Sequence, residues 1–252
     1  MSSLALMSVV SCSSDDDSPS SQQSSDILVK RVIYSQDDPD GYDATIDYSY
    51  NGNKIVQGTY TDGTIEKYYY TGDRITKIEY IYAGEVSDRD IFTYNDDNKL
   101  SSWKYEAFDG DEEIWETWEH NTYTYNNDNT ITQTDASGSG YTRTMTMHNG
   151  EISQIVGSDG TTYTYTYDTK NSPFKNVTGY AEIAHAFAGD HELDGRSRNI
   201  VSIVDETHSQ NYTINTIHYN SNDYPTSVTS VAIFDSNFPN ITETLNVSYS
   251  YQ

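Results

Sequence analysis

From residue 48 onward the chain says one thing over and over: aromatic, any residue, aromatic, then a polar turn, then a basic or small residue and an aliphatic. Tyr48-Ser-Tyr50-Asn-Gly-Asn-Lys-Ile55 is the first full copy. It recurs as Tyr68-Tyr-Tyr70-Thr-Gly-Asp-Arg-Ile75, Phe92-Thr-Tyr94 with Leu100, and Tyr123-Thr-Tyr125 with Ile131. A degraded copy runs from Met145-Thr-Met147 to Ile152, and partial copies are Tyr165-Thr-Tyr167, Ile217-His-Tyr219 and the terminal Tyr249-Ser-Tyr251. The first six begin at residues 48, 68, 92, 123, 145 and 165, so one unit is about two strands long.

In an extended chain residues i and i+2 share a face, so both aromatics of a copy point one way and the residue between them points the other. Asn-Gly, Gly-Asp and Asn-Asp supply the positive φ that tight hairpin turns require. Further turn signals fall between copies at Asp62-Gly63, Ala83-Gly84, Asp109-Gly110 and Asp159-Gly160. The pattern predicts an all-β fold: a single curved antiparallel meander, barrel-like or half-open, with the paired tyrosines inside. Glu66, Lys77, Glu79, Arg89, Lys104 and Glu116 are expected on the opposite face. A charge on a lipid-facing strand at mid-bilayer costs about 2–4 kcal/mol, so that face is expected to meet water rather than hydrocarbon.

One stretch changes period. Phe174, Val177, Tyr180 or Ala181, Ala184 and Phe187 recur at three and four residues, which predicts one short helix near 173–187 with Ser172-Pro173 at its start. An irregular loop follows over 188–198. Strands are expected to resume around 199–206, 210–220, 225–235 and 241–251.

The repeated copies resemble the YD repeats of the RHS family, whose units also read aromatic, turn, aliphatic. From about Ile27 the whole chain, including Asn171-Ser-Pro-Phe-Lys-Asn176, is similar to a family of Bacteroidota surface lipoproteins with a domain of unknown function described as a porin-like β-fold. That resemblance implies a curved or barrel-like antiparallel sheet and leaves activity unassigned. Val9-Val10-Ser11-Cys12 resembles a bacterial lipobox, and Ser13-Ser14-Asp15-Asp16-Asp17 resembles the acidic export signal that sends such lipoproteins to the cell surface. The apolar run Leu4–Ser11 is too short to span a bilayer, which takes about 20 residues. The expected organisation is a signal peptide at 1–11, an acylated Cys12 with a Ser/Asp-rich stem to residue 26, and a β-domain over 27–252. The stem offers no apolar side chain except proline and would stand the domain roughly 20 Å off an outer membrane.

Fourteen Lys and Arg against 39 Asp and Glu give a net charge of -25. Nucleic acid is therefore excluded as a partner, and anionic lipid and anionic glycan are repelled. The same field favours a soluble monomer. Cys12 is the only cysteine, so no internal disulfide is available and the domain must hold by burial and hydrogen bonding.

No nucleophile elbow or phosphate loop is present in the sequence. The densest set of ligand-type side chains is Glu182, His185, Asp190, His191 and Glu192, which read either as a metal or acid–base site or as a polar loop; the spacing fits no zincin pattern. The acidic turns Asp37-Asp38-Pro-Asp40, Asp96-Asp97 and Asp109-Gly-Asp111-Glu-Glu113 suit calcium by chemistry, but none follows a twelve-residue calcium loop. Trp103, Trp115 and Trp118 flank the last of these turns, and an exposed ring there is the candidate ligand platform. Trp115 and Trp118 lie three apart, so a regular strand would put them on opposite faces. These features describe a non-enzymatic, lipid-anchored outer-membrane surface protein that binds extracellular glycan or protein. A hydrolase or lyase using the 182–192 cluster is the second reading, and a self-assembling coat component the third.

Overall fold

The structure, a computed structural model, describes residues 26–36, 43–188, 195–208, 212–233 and 242–252. Sixteen strands close into one antiparallel barrel in strict sequence order. They are β1 (Val29–Gln36), β2 (Ala44–Asn51), β3 (Lys54–Tyr60), β4 (Ile65–Thr71), β5 (Arg74–Tyr82), β6 (Glu85–Tyr94), β7 (Leu100–Asp109) and β8 (Ile114–Tyr125), followed by β9 (Thr130–Asp135), β10 (Thr142–His148), β11 (Glu151–Gly157), β12 (Thr162–Tyr167), β13 (Ile200–Asp205), β14 (Tyr212–Tyr219), β15 (Pro225–Ile233) and β16 (Thr242–Tyr251). β1 pairs with β16 and abolishes both edges.

Each copy ends an even-numbered strand, so all eight lie at one end of the barrel; six of them lead into hairpins, the one on β12 leads into the plug and the last closes β16. Across each hairpin the second aromatic faces the repeat's aliphatic residue: Tyr50 opposite Ile55, Tyr70 opposite Ile75, Tyr94 opposite Leu100, Tyr125 opposite Ile131 and Met147 opposite Ile152. Asn98 and Asn129 take positive φ of 61° and 66° in the turns, as the turn chemistry requires. In most of these hairpins the register then slips by one residue. The bulge puts Ile75 and Ile78 both inside, and likewise Leu100 with Trp103 and Ile152 with Ile155. The bulged residue's hydroxyl returns to the carbonyl of the middle residue of the copy, Thr76 to Tyr69 at 3.3 Å, Ser153 to Thr146 at 3.1 Å and Thr226 to His218 at 3.2 Å.

The basic residue of the repeat has a neighbour as well. Lys54 sits over the Tyr70 ring at 5.4 Å, Arg74 over Tyr94 at 5.2 Å and Lys99 over Tyr125 at 4.9 Å. These three hairpins thus lay their cation on the second aromatic of the next one.

The inner face is apolar and aromatic. One buried cluster centres on Ile75, Leu100, Met145 and Ile183, with Tyr68, Tyr70, Tyr94 and Tyr125 against it; a second centres on Val29, Val32, Ile55 and Val247. Many outward positions are polar, with Ile33 and Ile214 among the exposed apolar exceptions: Arg31 pairs with Asp47 at 2.6 Å, Lys77 with Glu79 at 2.5 Å and Arg89 with Glu106 at 2.7 Å. Threonines face one another across β8, β9 and β10, as Thr122 with Thr134, Thr124 with Thr132 and Thr132 with Thr144. Glu66 departs from the sequence expectation. It is buried inside the barrel, because it lies two residues before Tyr68 and therefore shares its face.

Between β12 and β13 the turn is replaced by a longer connection, whose described residues 168–188 and 195–199 pack into the repeat end of the barrel as a plug. The helix expected near 173–187 is shorter than its apolar spacing suggests: α1 covers Tyr180–Ile183, and a 3-10 turn covers Ala184–Ala186. Gly179, at φ 81°, starts it without a side-chain cap, and the preceding Thr178 gives its N–H to Asn53 of the first hairpin turn. A Cβ on Gly179 would lie 2.7 Å from the Asp73 carbonyl oxygen, so only glycine lets the plug sit this close to the wall. Phe174, Val177, Ile183 and Ala186 are buried against the two clusters.

Two carboxylates, one on the wall and one at the start of the plug itself, hold its ends. Glu151, buried on β11, accepts the N–H groups of Arg196 and Ser197 at 2.8 Å and of Arg198 at 3.1 Å, and the Ser197 hydroxyl at 2.7 Å. Asp168 accepts the Asn199 side-chain amide at 3.0 Å and the Tyr219 hydroxyl.

Candidate functional site: the open half of the lumen

The plug packs into the repeat end, and two lumen cavities meet at one of its rings. Phe187, in edge contact with Phe92 and Trp103 at centroid distances of 5.9 and 5.6 Å, borders a cavity on each side.

The larger cavity, about 520 Å³, is lined by Trp103, Trp118, Asn121, Gln133, Tyr141 and Arg143, with Glu119 and Asp135. Trp103 forms its floor, buried and donating Nε1–H to Asp90 at 2.7 Å. Trp118 stands at the rim, 65% exposed. The β7–β8 register slips beside it, with Tyr105 opposite Glu119 and Glu106 opposite Thr117, so Trp118 is the extra residue of a bulge. Trp115 and Trp118 nevertheless face opposite sides, as their spacing of three suggests. Trp115 points outward, its ring under the Arg89 guanidinium at 3.8 Å and beside Phe108 at 5.3 Å. The three tryptophans therefore do not form one platform, although two of them share this cavity.

The smaller cavity, about 370 Å³, is lined by Tyr34, Tyr48, Tyr60, Tyr68, Tyr80 and Tyr180, by Phe174 and Phe187, and by one charged side chain, Glu66. Glu66 accepts the hydroxyls of Tyr60 and Tyr68, the latter at 2.9 Å. Burial raises its carboxyl above the ordinary range, against the pull of those two bonds. The next carboxylate along the wall, Asp90, accepts the Tyr80 hydroxyl at 2.8 Å in addition to Trp103. Burial pushes it up to about 6. Tyr48, Tyr68 and Tyr80 are raised well above the usual phenol value, first by burial and then by neighbouring acids, so their hydroxyls stay protonated donors. Sequence reasoning put Glu66 on the opposite face and did not single out Asp90, yet the signal was present: Glu66-x-Tyr68-x-Tyr70 and Asp90-x-Phe92-x-Tyr94 are single-face rows.

Among solved structures the chain is similar to a porin-like protein from Bacteroides vulgatus ATCC 8482, at 12% identity and a TM-score of 0.51 over 90% of this chain and 99% of that one. It also aligns with a porin-like protein from Bacteroides uniformis ATCC 8492, at 14% identity and a TM-score of 0.43 over 89% of this chain and 98% of that one. The fold is a porin-like β-barrel. No protein-family model matches the chain, and no curated protein does.

Of the expected metal cluster, Asp190, His191 and Glu192 lie outside the described residues. Glu182 and His185 border a third cavity, of about 370 Å³, together with Lys99 and Arg196. His185 is buried, its Nε2 is 3.2 Å from the Tyr125 hydroxyl and its ring meets Tyr123 edge-on at 5.0 Å. Burial, with a smaller push from Arg196, lowers it to about 3, so the imidazole packs as a neutral core ring. Among the described residues no group of three or more His, Cys, Asp or Glu side chains is gathered closely enough to hold a metal. In the acidic turn considered for calcium, Asp109 Oδ1 accepts the N–H groups of Asp111 at 2.8 Å and Glu112 at 3.2 Å. The turn at 37–40 and the proposed lipid site at Cys12 fall outside the described residues.

Proposed function

We propose that this chain is a non-enzymatic binding protein of the bacterial outer membrane, held at the cell surface by an acylated Cys12, and that the larger lumen cavity takes an extracellular glycan. The cavity carries the reading. An aromatic rim and floor, Trp118 and Trp103, are combined with the amides of Asn121 and Gln133 and the Arg143 guanidinium; aromatic faces receive the apolar faces of sugar rings, and a few placed polar groups fix orientation. Its volume lies in the range of small-ligand sites, roughly 300–1,000 Å³.

The outward face supports a tethered rather than a spanning barrel. Ion pairs and threonine rows occupy the positions where a membrane barrel needs an apolar band about 25 Å tall. The paired aromatics instead line the inside, and the repeat likeness to YD units belongs to the same inward-facing pattern.

The test is titration of the protein against neutral oligosaccharides, followed by calorimetry on hits. Binding that is lost in Trp118→Ala, with an unchanged melting temperature, supports the reading; flat responses across the library overturn it. Loss of radiolabelled palmitate incorporation in Cys12→Ala tests the anchor separately.

A further inference from the structure

The second cavity has a different chemistry from the first. Glu66 is its one charged side chain, and no Lys, Arg or His lines it among the described residues. On the outward face acids find partners of opposite sign, as Glu79 does with Lys77 and Glu106 with Arg89. Glu66 has only the hydroxyls of Tyr60 and Tyr68. A buried carboxylate without a cation is costly in a folded interior, where buried charges are ordinarily paired.

The wall makes room for that carboxylate. Gly58 on β3 faces it, and a Cβ there would lie 3.1 Å from Glu66 Oε2 and 3.1 Å from the Tyr48 ring. Around the acid the cavity is walled by aromatic rings from strands and plug alike, with Phe174 stacked on Tyr180 at 4.5 Å and Tyr48 edge-on to Phe174 at 5.6 Å. A second buried acid, Asp90, is tied to the same wall through Tyr80. An anion at the base of an aromatic box is the arrangement that receives an alkylated ammonium group, whose charge meets the carboxylate and whose methyl groups meet the rings. The net charge of -25 adds a field that draws cations inward and repels anions.

We propose that this cavity binds an organic ammonium ion of the trimethylammonium type, with Glu66 as its counter-ion and Tyr48, Tyr68, Tyr80 and Tyr180 as its walls. The site stands beside the glycan cavity and does not depend on it.

The test uses calorimetric titration of the purified protein with choline and with 3,3-dimethylbutan-1-ol, its neutral carbon isostere. Choline is expected to bind, and the isostere to bind at least about tenfold more weakly, the difference between a cation and a neutral group against these rings and this acid. Glu66→Gln, which keeps the shape and removes the charge, is expected to lose about tenfold or more in choline affinity while melting no lower than the parent. Trp118→Ala is expected to leave choline binding unchanged. Equal affinity for choline and the isostere, absence of choline binding at millimolar concentration, or undiminished binding by Glu66→Gln would each overturn the proposal.

Discussion

Tyr94 donates its hydroxyl to the carbonyl oxygen of Ile75 at 2.6 Å, so the second aromatic of one hairpin is fastened to the aliphatic residue of the hairpin before it. Tyr251 does the same to Pro225 and Tyr50 to Val29, each at 2.7 Å. The paired aromatics therefore do two jobs, filling the lumen with their rings and stitching neighbouring hairpins with their hydroxyls. Tyr94→Phe keeps the ring and leaves a buried carbonyl short of one donor, which costs about 1 kcal/mol. Urea denaturation of Tyr94→Phe, Tyr50→Phe and the double variant should show losses of that size that add, since the two bonds share no partner.

Glu151 fixes the returning arm of the plug with one carboxylate, and three backbone N–H groups and a hydroxyl depend on it. Glu151→Ala leaves those donors buried and should destabilise the protein by about 3–5 kcal/mol. The accompanying signature is faster hydrogen exchange at Arg196, Ser197 and Arg198 than elsewhere in the barrel wall. Uniform exchange across the whole chain would mean that the plug and the wall open together.

Asp90 gives the fold an unusual pH dependence. Burial raises its carboxyl from the ordinary 3.8 to about 6, so the folded chain holds this proton more tightly than the unfolded chain does. Its contribution is present below about pH 4 and is lost as the pH rises toward 6, by roughly 2–3 kcal/mol. Asp90→Asn should abolish that loss, measured as the difference between the two proteins' melting temperatures at pH 4 and pH 7.

His185 acts in the opposite direction. Its folded value, about 3 against an ordinary 6.5, means that below pH 6.5 the unfolded chain takes up a proton that the buried ring refuses. Stability contributed by the neutral ring is present above that pH and falls by up to about 1.4 kcal/mol per pH unit on acidification. A neutral replacement, His185→Gln, should flatten the stability profile between pH 6 and pH 4 relative to the parent.

Much of the barrel was legible in the sequence because its signals are local. Turn residues and period-two alternation placed the meander, and the change of period at Phe174 to Phe187 located the plug. Closure was not legible, since it rests on the long-range pairing of Val32 with Tyr249, which no local pattern encodes. The plug's helix was overestimated because spacing alone cannot reveal that Thr178 gives its N–H to Asn53 and that Gly179 turns left-handed. The candidate site was half legible. Trp103 and Trp118 were singled out, but that they line one cavity depends on packing across strands that no local pattern encodes, and Glu66 was assigned to water although its spacing from Tyr68 and Tyr70 placed it inside.

The central claim is that the barrel turns its aromatic face inward and its charged and threonine-rich face outward, and the proposed function adds that this face meets water and that an N-terminal lipid, not the barrel wall, joins the protein to a membrane. The most direct test is to prepare the chain from Asp26 onward without detergent, then add liposomes and measure sedimentation, β-sheet circular dichroism and ion conductance. A soluble, folded monomer that leaves the liposomes intact and non-conducting is the predicted result; a chain that folds only in detergent, or that enters the bilayer and conducts, would contradict it.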